Sequence, residues 1–263
     1  DFQDDFARRG LAEWLSGGRI VHDTSHARPL DTHRWPLECQ EFEVRGRAGG
    51  SHLRADRALL GVFDEGCMGM FNAIVPDHLL HPLGLFKERL SQSALYAAMR
   101  EVDDATARGH YEWLRQRGMQ FRFGPDPAAD LTEDQVIEGL KMYDAAATLA
   151  DRFGCDAIGI QYQQGLKDVC VASDLAEGLL NTPAPPPVVG DGGRPVFEGR
   201  AIPHFNEVDE CAGVDALLTN RAWTALELDP STTLHDVRWG EAVHDHGVDE
   251  FVWVFEISGA APA

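Results

Sequence analysis

Ala58-Leu59-Leu60-Gly61-Val62-Phe63 is the stretch that decides the fold. Its six residues carry no charge and no hydroxyl. A strand with one face in water alternates apolar and polar residues, whereas a strand covered on both faces does not. Continuous apolar runs of this length are the habit of parallel sheets in α/β proteins. A second run of the same kind follows at Ala157-Ile158-Gly159-Ile160.

Helical signals fill the space between the two runs. Residues 87–117 are rich in Ala, Leu, Arg and Glu and stop at Gly118, so we expect one long helix there. Thr132-Glu133-Asp134-Gln135 has the form of a capping box. Behind it Val136, Leu140, Tyr143, Ala147 and Ala150 recur at spacings of four and three, which predicts a helix with a single apolar stripe ending at Gly154. Helix signals return over residues 174–180 and 208–226, extended signals over 194–205 and 232–239, and a strand-like run over 251–257. Strands alternating with helices predict βαβ units and an α/β fold built on a parallel sheet. Residues 1–56 read differently. They are polar and broken by Gly17-Gly18, Pro29, Pro36 and Gly49-Gly50, so we expect loops there and at most a short strand at 19–22.

The chain has 263 residues, 44% hydrophobic and 25% charged, which is enough apolar mass for a sizeable core. A net charge of −20, from 43 acidic and 23 basic residues, repels phosphate backbones and anionic lipids. Neither nucleic acid nor membrane is therefore expected as a partner, while cations and neutral polyols are favoured. The five cysteines are odd in number and form no Cys-x-x-Cys pair, as befits reduced thiols in a cytoplasmic protein. No apolar run approaches the roughly 18 residues of a spanning helix.

In parallel sheets, ligands bind at the carboxyl ends of strands. Three segments place polar groups there. Gln161-Tyr162-Gln163-Gln164 follows the second apolar run. Side-chain amides both donate and accept, which suits a polyhydroxylated ligand, though taken alone a solvated loop explains them more readily. His204-Phe205-Asn206-Glu207-Val208-Asp209-Glu210 sits where a helix begins, and by itself acidic helix capping accounts for it better than a ligand site does. Asp236 lies inside the run Leu234-His235-Asp236-Val237-Arg238-Trp239. A carboxylate in a packed strand needs a cation or a metal, and Arg238, two residues on, offers an ion pair on the same face. His244-Asp245-His246 has a metal-like spacing, but its glycine and acidic flanks read as an exposed turn. Met68 and Met70 suit core filling.

Together these segments resemble the L-fucose isomerase and D-arabinose isomerase family, over about residues 59–239. The carriers are the turn 60–70, the Gly159-x-Gln161-x-Gln163 segment running on to Asn181, Asn206-Glu207-Val208-Asp209 with its following helix, and Asp236-Val237-Arg238. The resemblance implies a metal-dependent aldose–ketose isomerase for a pentose or 6-deoxyhexose, working through an ene-diolate. It implies Mn²⁺ or another divalent cation such as Mg²⁺ held by Glu207 and Asp236, which also act as the acid/base pair. It implies sugar contacts from Gln161, Gln163 and Met68, and a cytoplasmic homo-oligomer, a hexamer in the family. The family's Trp and His in the glutamine segment are replaced here by Leu166 and by Val169 or Cys170, so the preferred sugar is expected to differ. The expected organisation is the end of an N-terminal α/β domain over 1–56, a central domain over 57–222, and the start of a β-rich C-terminal domain over 223–263. The family's third metal ligand is a histidine downstream of that point, so a longer polypeptide is expected. A non-catalytic sugar-binding relative and a metal-dependent aldolase are the competing expectations. Metal analysis and product analysis separate them.

Overall fold

The structure, a computed structural model, describes residues 5–18, 37–64, 73–126, 129–233, 235–245 and 247–257. Two compact units divide it, residues 1–44 and 45–263. The first holds helix α1 (Asp5–Gly17) and the opening of α2 (Leu37–Asp56), which runs on into the second. The expectation of loops through residues 1–56 fails at both helices. Leu, Glu, Gln and Arg dominate 37–56, and their propensity outweighs the roughly 1 kcal/mol that each of the interior glycines costs.

The second unit is a three-layer α/β structure, as the apolar runs predict. Strands β1 (Ala58–Phe63), β2 (Leu85–Leu90), β3 (Ala157–Ile160) and β6 (His204–Asn206) form one parallel sheet in the order β2-β1-β3-β6. Alternation along β1 feeds two cores. Ala58, Leu60 and Val62 join Phe205, Val208, Leu80 and Leu217 on one face. That face is covered by α3 (Asp77–Leu80) and α8 (Glu210–Ala225). Phe63, with Ile158 and Ile160 of β3, joins the larger core on the other face, under α4 (Gln92–Glu101), α5 (Asp104–Gln116), α6 (Glu133–Phe153) and α7 (Asp174–Leu180). A short hairpin of β4 (Val188–Val189) and β5 (Pro195–Val196) adjoins α6.

Helix α6 matches its sequence reading closely. Thr132 accepts from the Gln135 amide and Gln135 answers at the Thr132 amide, while Gly154 ends the helix in a left-handed turn at φ 70°. All five residues of the predicted stripe are buried. The long helix expected over 87–117 is instead a strand and two helices. Leu85–Leu90 pairs with β1 over six residues. Ser91 then caps α4, and Asp103 caps α5 after an extended Val102. Two N-caps inside a stretch of good helix formers were overlooked, and helix propensity yields to sheet pairing at its start.

Strands β7 (His235–Asp245) and β8 (Val248–Ile257) form a separate antiparallel hairpin with a register shift between Val237 and Trp239. Among the described residues, no helix is long and apolar enough to cross a membrane.

Candidate functional site

Register decides what meets at the carboxyl rim of the sheet. Phe63, Ile160 and Asn206 stand side by side as the last paired residues of β1, β3 and β6. The next residue of each strand is therefore Asp64, Gln161 and Glu207. These three strand ends, far apart in sequence, line one edge.

Gln161 is buried and fully engaged. Its amide nitrogen donates to the Glu207 carbonyl at 3.1 Å, its side-chain oxygen accepts from the Gln163 backbone amide at 3.1 Å, and its own carbonyl accepts from the Gln92 side chain. Gln163 donates through its side-chain amide to Glu207 Oε1. The structure thus brings three of the residues singled out from sequence, Gln161, Gln163 and Glu207, into one hydrogen-bonded group.

The Glu207 backbone is strained. Glu207 and Val208 have φ of 52° and 59°, in the left-handed region that a β-branched residue rarely enters. Asn206 holds this turn from both sides, its side-chain oxygen accepting from the Glu207 amide at 2.9 Å and its carbonyl accepting from the Asp209 amide at 3.0 Å. Asp209 then caps α8. Strain that the surroundings over-determine in this way concentrates at functional sites. Asp64 is also left-handed, at φ 63°, and its carboxylate accepts from the Gln92 amide at 3.0 Å. The sequence reading passed over Asp64. The signal was there in retrospect: it follows the first apolar run just as Gln161 follows the second.

Tyr162 points to the electrostatics of this rim. Burial pushes its hydroxyl up, and the carboxylates of Asp174, Glu207 and Glu177 push the same way against a hydrogen bond from Gln163. Negative charge therefore accumulates around the strand ends, which favours a cation. The donors available there are carboxylate and amide oxygens, hard ligands suited to Mn²⁺ or Mg²⁺.

The other expected site residues are placed less fully. Asp236 lies on β7, with Glu256 as its register partner, and its side chain lies outside the described residues, as does Met68 altogether. The register shift at Val237/Trp239 interrupts the strict alternation from which a shared face for Asp236 and Arg238 was read. His244 is exposed near the end of β7, while His246 is outside the described residues. Among the described residues, no three His, Cys, Asp or Glu side chains gather as a metal set. No known protein-family model matches the sequence, and no curated protein is similar enough to count as a match.

Proposed function

We propose that this chain is a metal-dependent aldose–ketose isomerase acting on a pentose or 6-deoxyhexose, with Glu207 as a metal ligand and proton carrier. The observation that carries the reading is the Glu207 turn. It is a strained carboxylate at the carboxyl edge of a parallel sheet, pinned by Asn206 and Gln161 and aimed by Gln163. Holding one carboxylate at fixed orientation is what proton transfer to a bound substrate requires.

A divalent cation bound by Glu207 and Asp236 would polarise the sugar carbonyl. The protein's own part is positional. Glu207 and Asp236 divide the proton traffic, one taking the proton from the carbon next to the carbonyl and the other moving a proton between the two oxygens. The reaction shifts hydrogen within one molecule, so it needs no external oxidant or reductant. Gln163 fixes the carboxylate, and Gln161 holds the turn beneath it. Because both ends of the Gln161 amide are bonded to protein, its role in this reading is to support Glu207 more than to touch sugar. The cytoplasmic location, the homo-oligomer, and the flanking N-terminal and β-rich C-terminal domains belong to the same proposal.

The test is product analysis of the full chain with Mn²⁺ and a panel of pentoses and 6-deoxyhexoses. Ketose of unchanged carbon number is expected, with turnover in Glu207→Ala lowered by roughly 10²–10⁴-fold. Carbon fragments would favour the aldolase reading. Sugar binding without turnover would favour a non-catalytic relative. Turnover that survives Glu207→Ala would overturn the site.

A further inference from the structure

Behind the Asn206–Glu207 turn, on the face of the sheet that carries α7, Glu177 and His204 face one another at 3.6 Å, and Ser173 stands four residues before Glu177 at the start of that helix, with no side-chain hydrogen bond at any of the three. Ser173, Glu177 and His204 are 0%, 1% and 2% exposed. Six buried side-chain polar atoms lack a hydrogen-bond partner among the described residues, and five are here: the Ser173 hydroxyl, both Glu177 oxygens and both His204 ring nitrogens. Each such atom is destabilising when buried bare. Five in one place call for an occupant.

We propose that Ser173, Glu177 and His204 form a buried site for a divalent cation of the Zn²⁺ type, distinct from the Glu207 carboxylate and independent of the isomerase reading. Spacing is the first support. His204 Nδ1 lies 3.6 Å from Glu177 Oε1. That is too long for a hydrogen bond. Two ligands of a tetrahedral ion, each at about 2.0–2.2 Å, stand roughly 3.4 Å from one another. The gap suits ligands on either side of an ion.

The donor set is the second support. An imidazole nitrogen, a carboxylate and a hydroxyl form a borderline nitrogen–oxygen set that suits Zn²⁺ and its neighbours better than Ca²⁺. A bridging water could satisfy some of these atoms, but it brings no charge to the carboxylate. Burial holds the Glu177 carboxyl above its usual range, His204 offsets part of that rise, and Asp174 adds like charge. A cation reverses that penalty.

Ser173 supplies an observation of its own. It occupies the N-cap of α7, where serine ordinarily accepts from the helix amides, yet its side chain makes no cap bond and its ψ is −4°. Its hydroxyl serves something other than the helix. His204 is held in place by its main chain. Its amide donates to Asn181 Oδ1 at 2.7 Å and its carbonyl accepts from the Asn181 amide at 3.4 Å. The β6 edge is hollow beside His204. A cavity of about 340 Å³ there is lined by His204, Asp215, Thr219, Trp223 and Thr232.

The test uses the full chain, stripped with a chelator, reloaded with Zn²⁺ alone and crystallised. Anomalous difference density at the zinc edge is expected between Glu177 and His204. His204→Gln and Glu177→Gln are each expected to weaken zinc binding at this position by more than roughly a hundredfold, since loss of outer-shell partners alone reaches that figure. Glu207→Ala is expected to leave the peak in place. Should the two cluster variants fail to fold, the wild-type crystal still decides. An ordered water, or no density, at this position in millimolar zinc overturns the proposal. So does zinc uptake that survives both cluster substitutions and disappears in Glu207→Ala.

Discussion

Glu207 and Val208 hold consecutive left-handed backbones that would each cost roughly 1–2 kcal/mol in a free chain. Their neighbours offset that cost. Asn206→Ala removes the acceptor of the Glu207 amide and is expected to lower stability by about 1 kcal/mol, read from urea unfolding. Gln161→Leu is the more informative change for function, because it frees the Glu207 carbonyl while keeping the buried volume. It is expected to lower kcat severalfold more than Asn206→Ala at matched loss of stability. An equal effect would mean that the turn matters only for folding. Chemistry at Cys155 also follows from its surroundings. Burial pushes its thiol up to about 12, with Asp156 and Glu88 adding to the shift. At pH 8 it is almost wholly protonated and shielded. Alkylation of the native protein, mapped by mass spectrometry, is expected to leave Cys155 unmodified until the chain unfolds.

Among the elements, α8 is tied to the far edge of the sheet by one buried ion pair. Lys87 of β2 donates to Glu210 at the start of α8 at 2.9 Å, and also to the Val75 carbonyl at 3.0 Å. Glu210 in turn accepts from the Val75 amide at 2.7 Å. Both side chains are inaccessible to water. Lys87→Met, which leaves the Glu210 carboxylate buried without its cation, is expected to cost about 3–5 kcal/mol, and Glu210→Gln less, because Asp77 still stands 3.4 Å from Lys87. The paired Lys87→Met/Glu210→Gln change is expected to recover most of the loss in a double-mutant cycle. The caps give a pH test. The Thr106 backbone amide beside Asp103 holds its carboxyl below the usual range. A depressed folded value means stabilisation that is present above the unfolded pKa and lost as pH falls through the folded one. The deficit of Asp103→Ala against wild type is therefore expected at pH 7 and shrinks toward pH 3, measured by urea midpoints. Such caps mark how much was legible. The Thr132 box, the stripe from Val136 to Ala150 and the Gly154 stop are local, so the text of the chain carries them. The break at Ser91 is local too, but it hides among good helix formers. The meeting of Asp64, Gln161 and Glu207 depends on sheet register, which no single segment encodes. The Ser173–Glu177–His204 cluster is less legible still, because a glutamate on a helix and a histidine on a strand look ordinary until burial is known.

At the scale of the fold, the smaller core of the second unit is built around Phe205. Its ring lies between Gly159 of β3 and Gly213 of α8, and a Cβ at Gly213 would stand 2.7 Å from Phe205 Cγ. Two glycines far apart in sequence thus let β3 and α8 close on the same ring. Gly159→Ala would overlap the same ring and is expected to cost about 1–3 kcal/mol. Stability is distributed unevenly from this centre. The inner strands β1 and β3 carry side chains wholly shut off from water. The β7–β8 hairpin pairs only with itself among the described residues, and Phe251, Trp253 and Phe255 are each more than half exposed. A lone two-stranded hairpin is marginal in water, and local opening follows the depth of packing. Amide hydrogen exchange is therefore expected to run through the hairpin long before β1 and β3 at pH 7. If the hairpin amides are instead protected as strongly as those of β1, another surface must cover the aromatic face. Dilution then separates the sources: protection that falls with concentration comes from a second copy, and protection that does not comes from the chain itself.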